Sequence, residues 1–505
     1  MKVGKAIYNI LSQSTDVQSN FPFNTTDYAP TGTELVTNGD FSAAGSNLVS
    51  NPNFTDTGSE LVVNGTFVGV ANGTDVITLS GWSTYNTPIS RNVESERLEI
   101  VTSGSNEGAK LSITTTIGKS YKLQYTATGD TGAQGIYISG ISGVNTSTET
   151  TFYFVAIATT TTINFRAGTN SAGTTYYDDI SVKELGADWD NMDAASSIDE
   201  NGLTISTSSG SGAYKERQSS ISLYSGKSYK VTYTIYANNL TGTNVLQYYN
   251  GSYYDSFTEQ GVGTHTEYFT RIGDDSNLWW YFKVLDSETE PTDTITISSI
   301  IVQELGEGWT VGGGWSIGED KAIADGSTSA TNILSQDLGL VTTKNYKISF
   351  NSDRVGGVLF VRDSDDTTLY TLNSGTGSTV NTFYNTWAGS GGTLKFYAYN
   401  YNGSITNITV QEMILTKIFP ELAPPDIDAP YIVYSVVSNS PSETKNANGD
   451  IDTANIEVYG FQDTYNKAVD LGVSVRAALD RKTGTYNTIE IQSTNYVNEQ
   501  MDVNE

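Results

Sequence analysis

Gly118-Lys-Ser-Tyr121-Lys-Leu decides the fold, because close copies of this stretch recur twice further along the chain. The copies are Gly226-Lys-Ser-Tyr229-Lys-Val and Thr343-Lys-Asn-Tyr346-Lys-Ile, so the tyrosine repeats after 108 and then 117 residues. Each copy is typical of a turn that leads into a strand with alternating apolar and polar residues. A period of about 110–120 residues is too long for a solenoid unit and suits one β-sandwich.

Two further landmarks repeat with a similar period and mark where each unit opens and closes. Each unit opens on a small or acidic residue before tryptophan: Gly81-Trp82, Asp188-Trp189 and Gly308-Trp309. Each closes on an alternating strand: Asp179-Ile-Ser-Val-Lys-Glu184-Leu, Ile300-Ile-Val-Gln-Glu304-Leu and Ile408-Thr-Val-Gln-Glu412-Met. We therefore predict three tandem β-sandwiches, at residues 60–186, 187–306 and 307–413.

A second, shorter repeat precedes the first of these units. Its copies start 13 residues apart: Glu34-Leu-Val-Thr-Asn-Gly-Asp-Phe41, Asn47-Leu-Val-Ser-Asn-Pro-Asn-Phe54 and Glu60-Leu-Val-Val-Asn-Gly-Thr-Phe67. The pattern indicates a short strand, an Asn-Gly or Asn-Pro turn and an aromatic plug. Only the last copy has a full sandwich directly behind it. Residues 31–59 are therefore predicted as short β-repeats that stack as edge strands, or as a linker left by duplication.

Composition supports an all-β chain and excludes several functions. The 505 residues include 27 Lys plus Arg against 56 Asp plus Glu, a formal net charge of −29. This balance argues against a protein that tracks nucleic-acid phosphates, although DNA could slide past such a surface without specific binding. The chain has no Cys, which excludes disulfides and thiolate metal sites. The sequence contains no stretch of about 18 apolar residues, so it predicts no membrane-spanning helix.

The two ends of the chain do not belong to the repeats. Residues 2–16 place apolar side chains on one helical face: Val3, Ile7, Ile10 and Leu11. After a proline-rich segment, residues 431–437, 455–461 and 488–493 are strand candidates. Asp463 or Thr464 can cap a helix with this apolar stripe: Ala468, Leu471, Val475 and Leu479. Neither end has a core alone, so we predict one split α+β domain from residues 1–30 and 414–505.

Part of the middle region resembles a known family. Leu61-Val-Val-Asn-Gly-Thr-Phe67, Gly81-Trp82 and Tyr176-Tyr-Asp-Asp179-Ile-Ser-Val are similar to the opening and closing strands of jelly-roll carbohydrate-binding modules. The resemblance covers about residues 60–413. It implies a structural calcium between the opening and closing strands, with Asp178 or Asp179 supplying hard oxygen ligands. This sequence has Thr66 where the family has an opening acid, and a solvated acidic turn is the alternative.

The joined ends resemble a second family, the tail-completion or tail-terminator proteins of tailed phages. The resemblance lies in Val3-Gly-Lys-Ala-Ile-Tyr-Asn-Ile-Leu11 and in the order of motifs between Ile418 and Asp480. It implies a small α+β fold that assembles into a homo-oligomeric ring of 6 or 12 copies. The ring would contact portal, neck and tail proteins of a virion made in the bacterial cytoplasm. The three sandwiches would then be one large insertion after the first helix.

Aromatic side chains, rather than a catalytic group, are the candidate binding residues. His265 is the sole histidine, so with no Cys there is no nucleophile–base pair to propose, and we predict no enzyme activity. Sugars can pack their C–H faces on exposed rings. The candidates crowd the second and third units: Tyr248, Tyr249, Tyr253, Tyr254, Trp279, Trp280, Trp387 and Tyr399. Since adjacent strand residues face opposite ways, about half of such rings belong in the core.

The sequence thus predicts a mostly β fold with three tandem jelly-roll β-sandwiches inserted into a small split α+β domain of tail-terminator type. The predicted function is a structural virion protein at the neck or tail joint, with sandwiches that contact host-surface glycans. A free-standing carbohydrate-binding adhesin or tail-fibre-type receptor-binding protein is the alternative. A polysaccharide depolymerase is a third hypothesis, and it requires two acids in one cleft.

Overall fold

A computed structural model describes residues 2–21, 23–55, 57–86, 88–103, 107–129, 134–141, 150–167, 172–191, 196–206, 214–218, 221–272, 280–284, 293–442, 451–486, 489–491 and 493–498. The chain divides into two compact units, residues 44–305 and residues 1–43 with 306–505. Strands dominate both units, so the predicted mostly β fold is confirmed. No helix of the described residues is both long and apolar enough to cross a membrane.

Sandwich 1 lies within the first of these units and encloses its own hydrophobic core. One sheet has the spatial order Thr151–Val155, Ser120–Gly129, Gly173–Glu184, Arg97–Thr102, Ser90–Glu94, Thr74–Asp75. The facing sheet has the order Trp82–Tyr85, Glu107–Thr114, Thr160–Ala167, Gln134–Ile138. Alternate residues of Arg97–Thr102 and Glu107–Thr114 are buried, as expected for strands that bury one face.

Sandwich 2 belongs to the same unit and is built on the same plan. Its first sheet has the order Ser196–Asp199, Gly202–Ser206, Thr294–Leu305, Ser228–Asn238, Gly263–Thr270, and Ala44–Asn47 also pairs with Thr294–Leu305. Its second sheet has the order Asp190–Asn191, Tyr214–Gln218, Trp280–Val284, Leu246–Tyr249, Tyr254–Ser256.

Sandwich 3 lies in the other unit, where nine strands of the described residues form one continuous sheet. Two long strands, Asn345–Arg362 and Thr393–Leu415, run through it, and the parts on either side of their register shifts at residues 354–358 are called the first and second sheets. In its first sheet these strands are flanked by Trp315–Gly318, Lys321–Asp325 and Gly377–Thr386. In its second sheet they are flanked by Thr310–Val311, Ile333–Asp337 and Thr368–Leu372.

The long repeat has a common structural basis in all three sandwiches. The repeated tyrosine lies opposite the closing glutamate in the antiparallel register of each sandwich: Tyr121 with Glu184, Tyr229 with Glu304 and Tyr346 with Glu412. The lysine two residues before that tyrosine pairs with the same glutamate, at 3.7, 2.9 and 2.7 Å for Lys119, Lys227 and Lys344. Partly exposed pairs contribute about 0–1 kcal/mol each. The repeat therefore marks strand register more than it adds stability.

The short repeat takes a place that the sequence did not predict, because its first copy belongs to sandwich 3. The Leu35 N–H donates to the Val410 carbonyl at 3.0 Å, and the Ile408 N–H donates to the Gly39 carbonyl at 2.9 Å. The Phe41 ring packs against Trp309, with ring centroids 5.2 Å apart. Residues 34–41 are therefore the opening segment of sandwich 3, which they join through backbone hydrogen bonds to its closing strand Thr393–Leu415.

The second copy lies in sandwich 2 with the same contacts. The Leu48 N–H donates to the Val302 carbonyl and the Ile300 N–H donates to the Pro52 carbonyl, both at 2.8 Å. The Phe54 ring lies 5.1 Å from Trp189. The segment 31–59 is thus neither a linker nor a stack of separate repeats.

The third copy lies in sandwich 1, so the three copies fill the three sandwiches in reverse order. The Leu61 N–H donates to the Val182 carbonyl at 3.0 Å, and the Ile180 N–H donates to the Gly65 carbonyl at 2.9 Å. Phe67 packs on Trp82 at 5.8 Å. Sandwich 1 is therefore inserted into sandwich 2 after the second copy, and both are inserted into sandwich 3 after the first copy. The three sandwiches are therefore nested within one another and do not follow one another as contiguous tandem domains, as the sequence had predicted.

The turn in each copy explains its sequence. Its asparagine and phenylalanine have positive φ angles in every copy, between 48° and 60° for Asn38, Asn51, Asn64, Phe41, Phe54 and Phe67. Asparagine tolerates this left-handed region better than most residues. A Cβ atom on Gly39 would lie 2.1 Å from the Ile408 carbonyl oxygen, and one on Gly65 would lie 1.9 Å from that of Ile180. Glycine is therefore required there by close backbone approach.

Buried amides help to fix two of the copies. The Gln336 side chain accepts from the Thr37 N–H and donates to the Thr37 carbonyl, both at 2.9 Å. Gln218 makes the same pair of hydrogen bonds with Ser50, at 2.9 and 2.7 Å. Since both amides are buried, leaving either backbone group unpaired would cost about 1–3 kcal/mol.

The end domain draws its core from both ends of the chain. Helices Lys2–Gln13, Thr15–Gln18 and Tyr465–Leu479 pack with a sheet in the order Ile418–Pro420, Tyr431–Ser442, Ile451–Phe461. Gly484–Tyr486 and Ile489–Ile491 form a separate hairpin, and Tyr28–Pro30 pairs with the end of Thr393–Leu415. Ile7, Leu11, Ile432 and Leu471 share one buried cluster. Thr464 occupies the N-cap position of the last helix without a side-chain capping hydrogen bond.

Candidate carbohydrate-binding cleft

A cleft of about 340 Å³ opens on the outer face of the first sheet of sandwich 3. This volume lies within the range of small-molecule sites, about 300–1,000 Å³. The lining residues come from four strands: Lys321, Asn351, Ser352, Asp353, Ser378, Thr379, Val380, Ser404 and Thr406.

Strand register places the polar side chains of this cleft in two rows. Asn351 lies between Val380 on one neighbouring strand and Thr406 on the other. Asp353 lies between Ser378 and Ser404 in the same way. Because side chains two residues apart share a face of a strand, the amide, the carboxylate and the hydroxyls project into the same space.

The charged groups of the cleft differ in how they are held. Lys321 Nζ lies 2.7 Å from Glu319 Oε2, so its ammonium has a partner at the rim. Asp353 is exposed, and within the described part of the chain its carboxylate forms neither a hydrogen bond nor an ion pair. A carboxylate in this state can accept hydrogen bonds from ligand hydroxyls. The site therefore has one acceptor group that is available to a polyol.

Other groups give the cleft a fixed floor and one apolar wall. The Thr406 hydroxyl donates to the Asp320 carbonyl at 2.8 Å, which orients that side chain. The side chain of Val380 is 74% exposed and provides an apolar surface beside Asn351. Beneath the sheet, burial raises the pKa of Tyr401 well above its ordinary value, so its hydroxyl keeps its proton and donates to the Ser404 carbonyl at 3.3 Å.

The sequence did not predict this cleft, for a clear reason. Asn351 and Asp353 occupy the polar positions of an alternating strand, as many solvated residues do. Their significance depends on the register with the strands at 378–380 and 404–406, which are joined to them by no local sequence signal. A pair of polar residues flanked by hydroxyl residues on two distant strands would have been the signal to seek.

The predicted aromatic residues of the second unit do not form one exposed group. Tyr248 is buried and its ring packs 5.0 Å from both Phe257 and Phe269, so it belongs to the core and cannot contact a sugar. Tyr249 and Tyr254 are half-buried with ring centroids 5.2 Å apart, and Tyr253 is 52% exposed. Trp279 lies outside the described residues, and Trp280 is described only as the first residue of strand Trp280–Val284.

Of the two predicted ligand contacts in the third unit, one is buried and the other is exposed. Trp387 is buried, and its indole N–H donates to the Gly391 carbonyl at 2.8 Å, so the prediction that it contacts ligand was wrong. Tyr399 is 46% exposed on the second sheet, away from the cleft. As ligand contacts, Tyr249, Tyr253, Tyr254 and Tyr399 stay predictions.

The acidic pair suggested for calcium lies at the bulge of the closing strand of sandwich 1. The Asp179 N–H donates to the Asp178 carboxylate at 2.7 Å, and burial raises the pKa of Asp178 above its ordinary value. Calcium takes six to eight oxygen ligands. The described residues contain no group of three or more His, Asp or Glu side chains placed to hold a metal ion. This donor set does not fit a closed calcium site, and a bound calcium stays a prediction.

Comparisons with known proteins give similarities of fold only. No family model matches the chain, and no curated protein matches it. Among solved structures, the tandem CBM22 domains of Paenibacillus barcinonensis Xyn10C match at 10% identity with a TM-score of 0.20, over 49% of this chain and 98% of theirs. The tandem CBM51 modules of the Streptococcus pneumoniae family 98 glycoside hydrolase match at 9% identity with a TM-score of 0.15, over 52% and 96%.

A structure described as the triple jelly-roll fold and turret assembly of an archaeal virus is also similar. It matches at 14% identity with a TM-score of 0.18, over 73% of this chain and 98% of the viral one. The mostly β class of the chain rests on its own strands and sheets.

Proposed function

We propose that this chain is a non-catalytic carbohydrate-binding protein of the adhesin type, with its glycan site in the cleft of sandwich 3. The observation that carries the proposal is the convergence of the Asn351 amide and the available Asp353 carboxylate with hydroxyl side chains, beside apolar Val380. Sugars are recognised by several hydrogen bonds to hydroxyl groups together with contact to a C–H face.

The carboxylates of the cleft support binding over hydrolysis. Glycosidases place two carboxylic acids on either side of the scissile bond. Among the described residues that line the cleft, Asp353 is the one acid. The third hypothesis, a depolymerase, therefore gains no support from this site.

Replacing both Asn351 and Asp353 with alanine should weaken glycan binding by the cleft. Each lost hydrogen bond costs about 0.5–1.5 kcal/mol, and bonds to a charged group about 1.5–3 kcal/mol, so we expect at least a tenfold weaker Kd. Binding is measured on a glycan array and then by calorimetry with the best ligand.

Lys347→Ala is the matched control for this test, because Lys347 lies on the same strand and the same face but outside the cleft. This variant should bind as the wild type does. An array with no ligand for the wild-type chain, or equal binding by the double variant, would refute the assignment of the glycan site to the cleft.

A second proposal concerns the end domain, which we infer to be an assembly module. On the sheet face away from the helices, the rings of Tyr431 and Phe461 stack 4.4 Å apart, and Tyr459 and Val437 are exposed. Strand Ile451–Phe461 pairs with one neighbour in the described part of the sheet and contains neither Lys nor Pro. Natural edge strands use those residues to prevent pairing. Such an edge beside an apolar face favours self-association.

This assembly would correspond to the ring implied by the resemblance of the ends to tail-terminator proteins. We propose on that basis a homo-oligomer of 6 or 12 copies in the neck or tail of a virion, next to portal and tail proteins. The sandwiches would then be displayed in several copies, and weak glycan binding would gain from avidity.

The full chain should sediment as an oligomer, and the double variant Tyr459→Lys/Phe461→Lys should sediment as the 54.4 kDa monomer. Introduced lysines place like charges at the paired edge, which disfavours strand pairing. Tyr465→Lys is the control, since Tyr465 is exposed on the helix rather than on the sheet. A monomeric wild-type chain in analytical ultracentrifugation would rule out the assembly role and leave the cleft proposal untouched.

A further inference from the structure

A second exposed surface of sandwich 3 has different chemistry from the cleft. We call it the aromatic strip, and it consists of Phe360, Tyr397 and Tyr399 on the outer face of the second sheet. Register places Phe360 opposite Tyr397 and Val358 opposite Tyr399. The rings of Phe360 and Tyr397 are nearly parallel, at 21° with centroids 6.1 Å apart, and Tyr399 lies 6.4 Å further along. The strip is therefore a row of three rings on one face.

One arginine lies on this row of rings. The guanidinium carbon of Arg362 is 4.4 Å from the centroid of Tyr397 and 5.1 Å from that of Phe360. Attraction between the cation and the ring faces holds the side chain flat against the strip. Its aliphatic part and its head group are thus held in one orientation by contacts that use none of its N–H donors.

Those donors have no recorded partner in the described part of the chain. Arg362 has neither an ion pair nor a hydrogen bond there, and its Nε is buried without an acceptor. The neighbouring cation differs, because Lys395 Nζ lies 2.9 Å from Asp366 Oδ1 and donates to the Ser364 carbonyl at 2.8 Å. In a chain with 56 acidic and 27 basic residues, an arginine without a carboxylate is unexpected.

We propose that the aromatic strip and Arg362 bind a carboxylated polysaccharide, meaning a chain that contains uronic acid units. A guanidinium held flat presents a rigid fork of N–H donors that matches a planar carboxylate with two parallel hydrogen bonds. The exposed ring of Tyr399 provides a surface for the C–H face of the adjoining sugar. Three rings in a row suit successive units of a polymer better than a single small anion.

The overall charge of −29 does not prevent this binding. Electrostatic interactions are screened over about 8–10 Å at physiological ionic strength, so groups close to the strip determine the local potential. Asp366 pairs with Lys395, and Asp363 and Asp365 accept hydrogen bonds from backbone N–H groups, whereas Arg362 is the charged group that lies on the rings. This site lies on the other sheet from the cleft, requires an acidic ligand and does not depend on the proposed function of the cleft.

The test uses the full chain and measures Kd by calorimetry with polygalacturonate as the carboxylated probe and with dextran as the neutral polysaccharide. Arg362→Gln should weaken binding of polygalacturonate at least about tenfold, the effect expected for lost charge-assisted hydrogen bonds. Arg362→Lys should lose most of this affinity, because lysine keeps the charge but not the fork. Tyr399→Ala replaces an exposed side chain, so it should fold normally and still weaken binding.

Lys347→Gln is the matched control, because it removes one positive charge from the same strand on the other sheet. It should leave the Kd for polygalacturonate unchanged. Wild-type affinity in both Arg362→Gln and Tyr399→Ala would overturn the proposal, as would an equal loss in Lys347→Gln. Binding of dextran sulfate as tight as that of polygalacturonate, with Arg362→Lys unaffected, would show attraction by charge alone and overturn the assignment to a carboxylate. The cleft double variant should keep its affinity for polygalacturonate.

Discussion

Phe41→Ala should destabilise sandwich 3, although residue 41 precedes that sandwich by more than 250 residues in the sequence. Phe41 is buried against Trp309, and truncation of a buried phenylalanine to alanine typically costs about 3–5 kcal/mol. Hydrogen exchange followed by mass spectrometry should show lost protection in peptides from residues 307–413. Peptides from residues 60–186 should keep their protection, because sandwich 1 has its own opening segment at residues 60–67.

The other copies provide the matched comparisons for this experiment. Phe54→Ala should move the loss of protection to sandwich 2, and Phe67→Ala should move it to sandwich 1. Val63→Ala is the control, since Val63 lies within the third copy but is exposed. If all three phenylalanine variants lost protection in the same sandwich, the nested arrangement would be wrong.

The three sandwiches could be predicted from the sequence because the residues that define them recur in the same order in every unit. Tyr121, Lys119 and Glu184 recur with their spacing because they fix the register of two adjacent strands in every unit. The split of the end domain was also accessible, since the apolar stripe of Lys2–Gln13 lacks a core among its sequence neighbours. These features follow from periodicity and from the need to bury an apolar face.

The nesting could not be predicted in the same way, because the three short copies are nearly alike. Leucine at the second position, asparagine at the fifth and phenylalanine at the eighth serve each sandwich equally well. Contacts with residues distant in sequence help to assign each copy to its sandwich. Gln218 donates to the Ser50 carbonyl of the second copy, and Gln336 donates to the Thr37 carbonyl of the first. Chain order, which favours contact between neighbours in sequence, indicates the wrong pairing for the first two copies.

The candidate sites were predicted only in part, for a related reason. Aromatic residue type selected Tyr399, which is exposed and stays a predicted ligand contact, together with Tyr248 and Trp387, which are buried. The alternation rule cannot tell which face of a strand is covered. Arg362 and Asp353 gave no signal at all, because a single charged residue in a strand is ordinary. Within the described part of the chain, the side chains of Arg362 and Asp353 form neither an ion pair nor a hydrogen bond, and this property depends on tertiary packing alone.

A fragment of residues 44–305 should fold by itself, whereas a fragment of residues 57–305 should lose sandwich 2. The longer fragment contains the opening segments of sandwiches 1 and 2 and matches one compact unit of the chain. The shorter fragment lacks Val49 and Phe54, whose burial contributes roughly 3–6 kcal/mol together. It also lacks the backbone groups that pair with Val302 and Ile300. A loss of this size approaches the whole stability of an ordinary domain, about 5–15 kcal/mol.

Hydrogen exchange of the two fragments distinguishes this result from general unfolding. Sandwich 1 should be equally protected in both, because residues 60–67 are present in each and supply its opening segment. Protection of strands Ser228–Asn238 and Thr294–Leu305 should be present in the longer fragment and absent in the shorter one. Equal protection of these strands in both fragments would show that sandwich 2 is complete without residues 47–54. The chain passes between the two units at residues 43–44 and 305–306. With equal protection, the opening segment at residues 47–54 would not be required for sandwich 2 to fold.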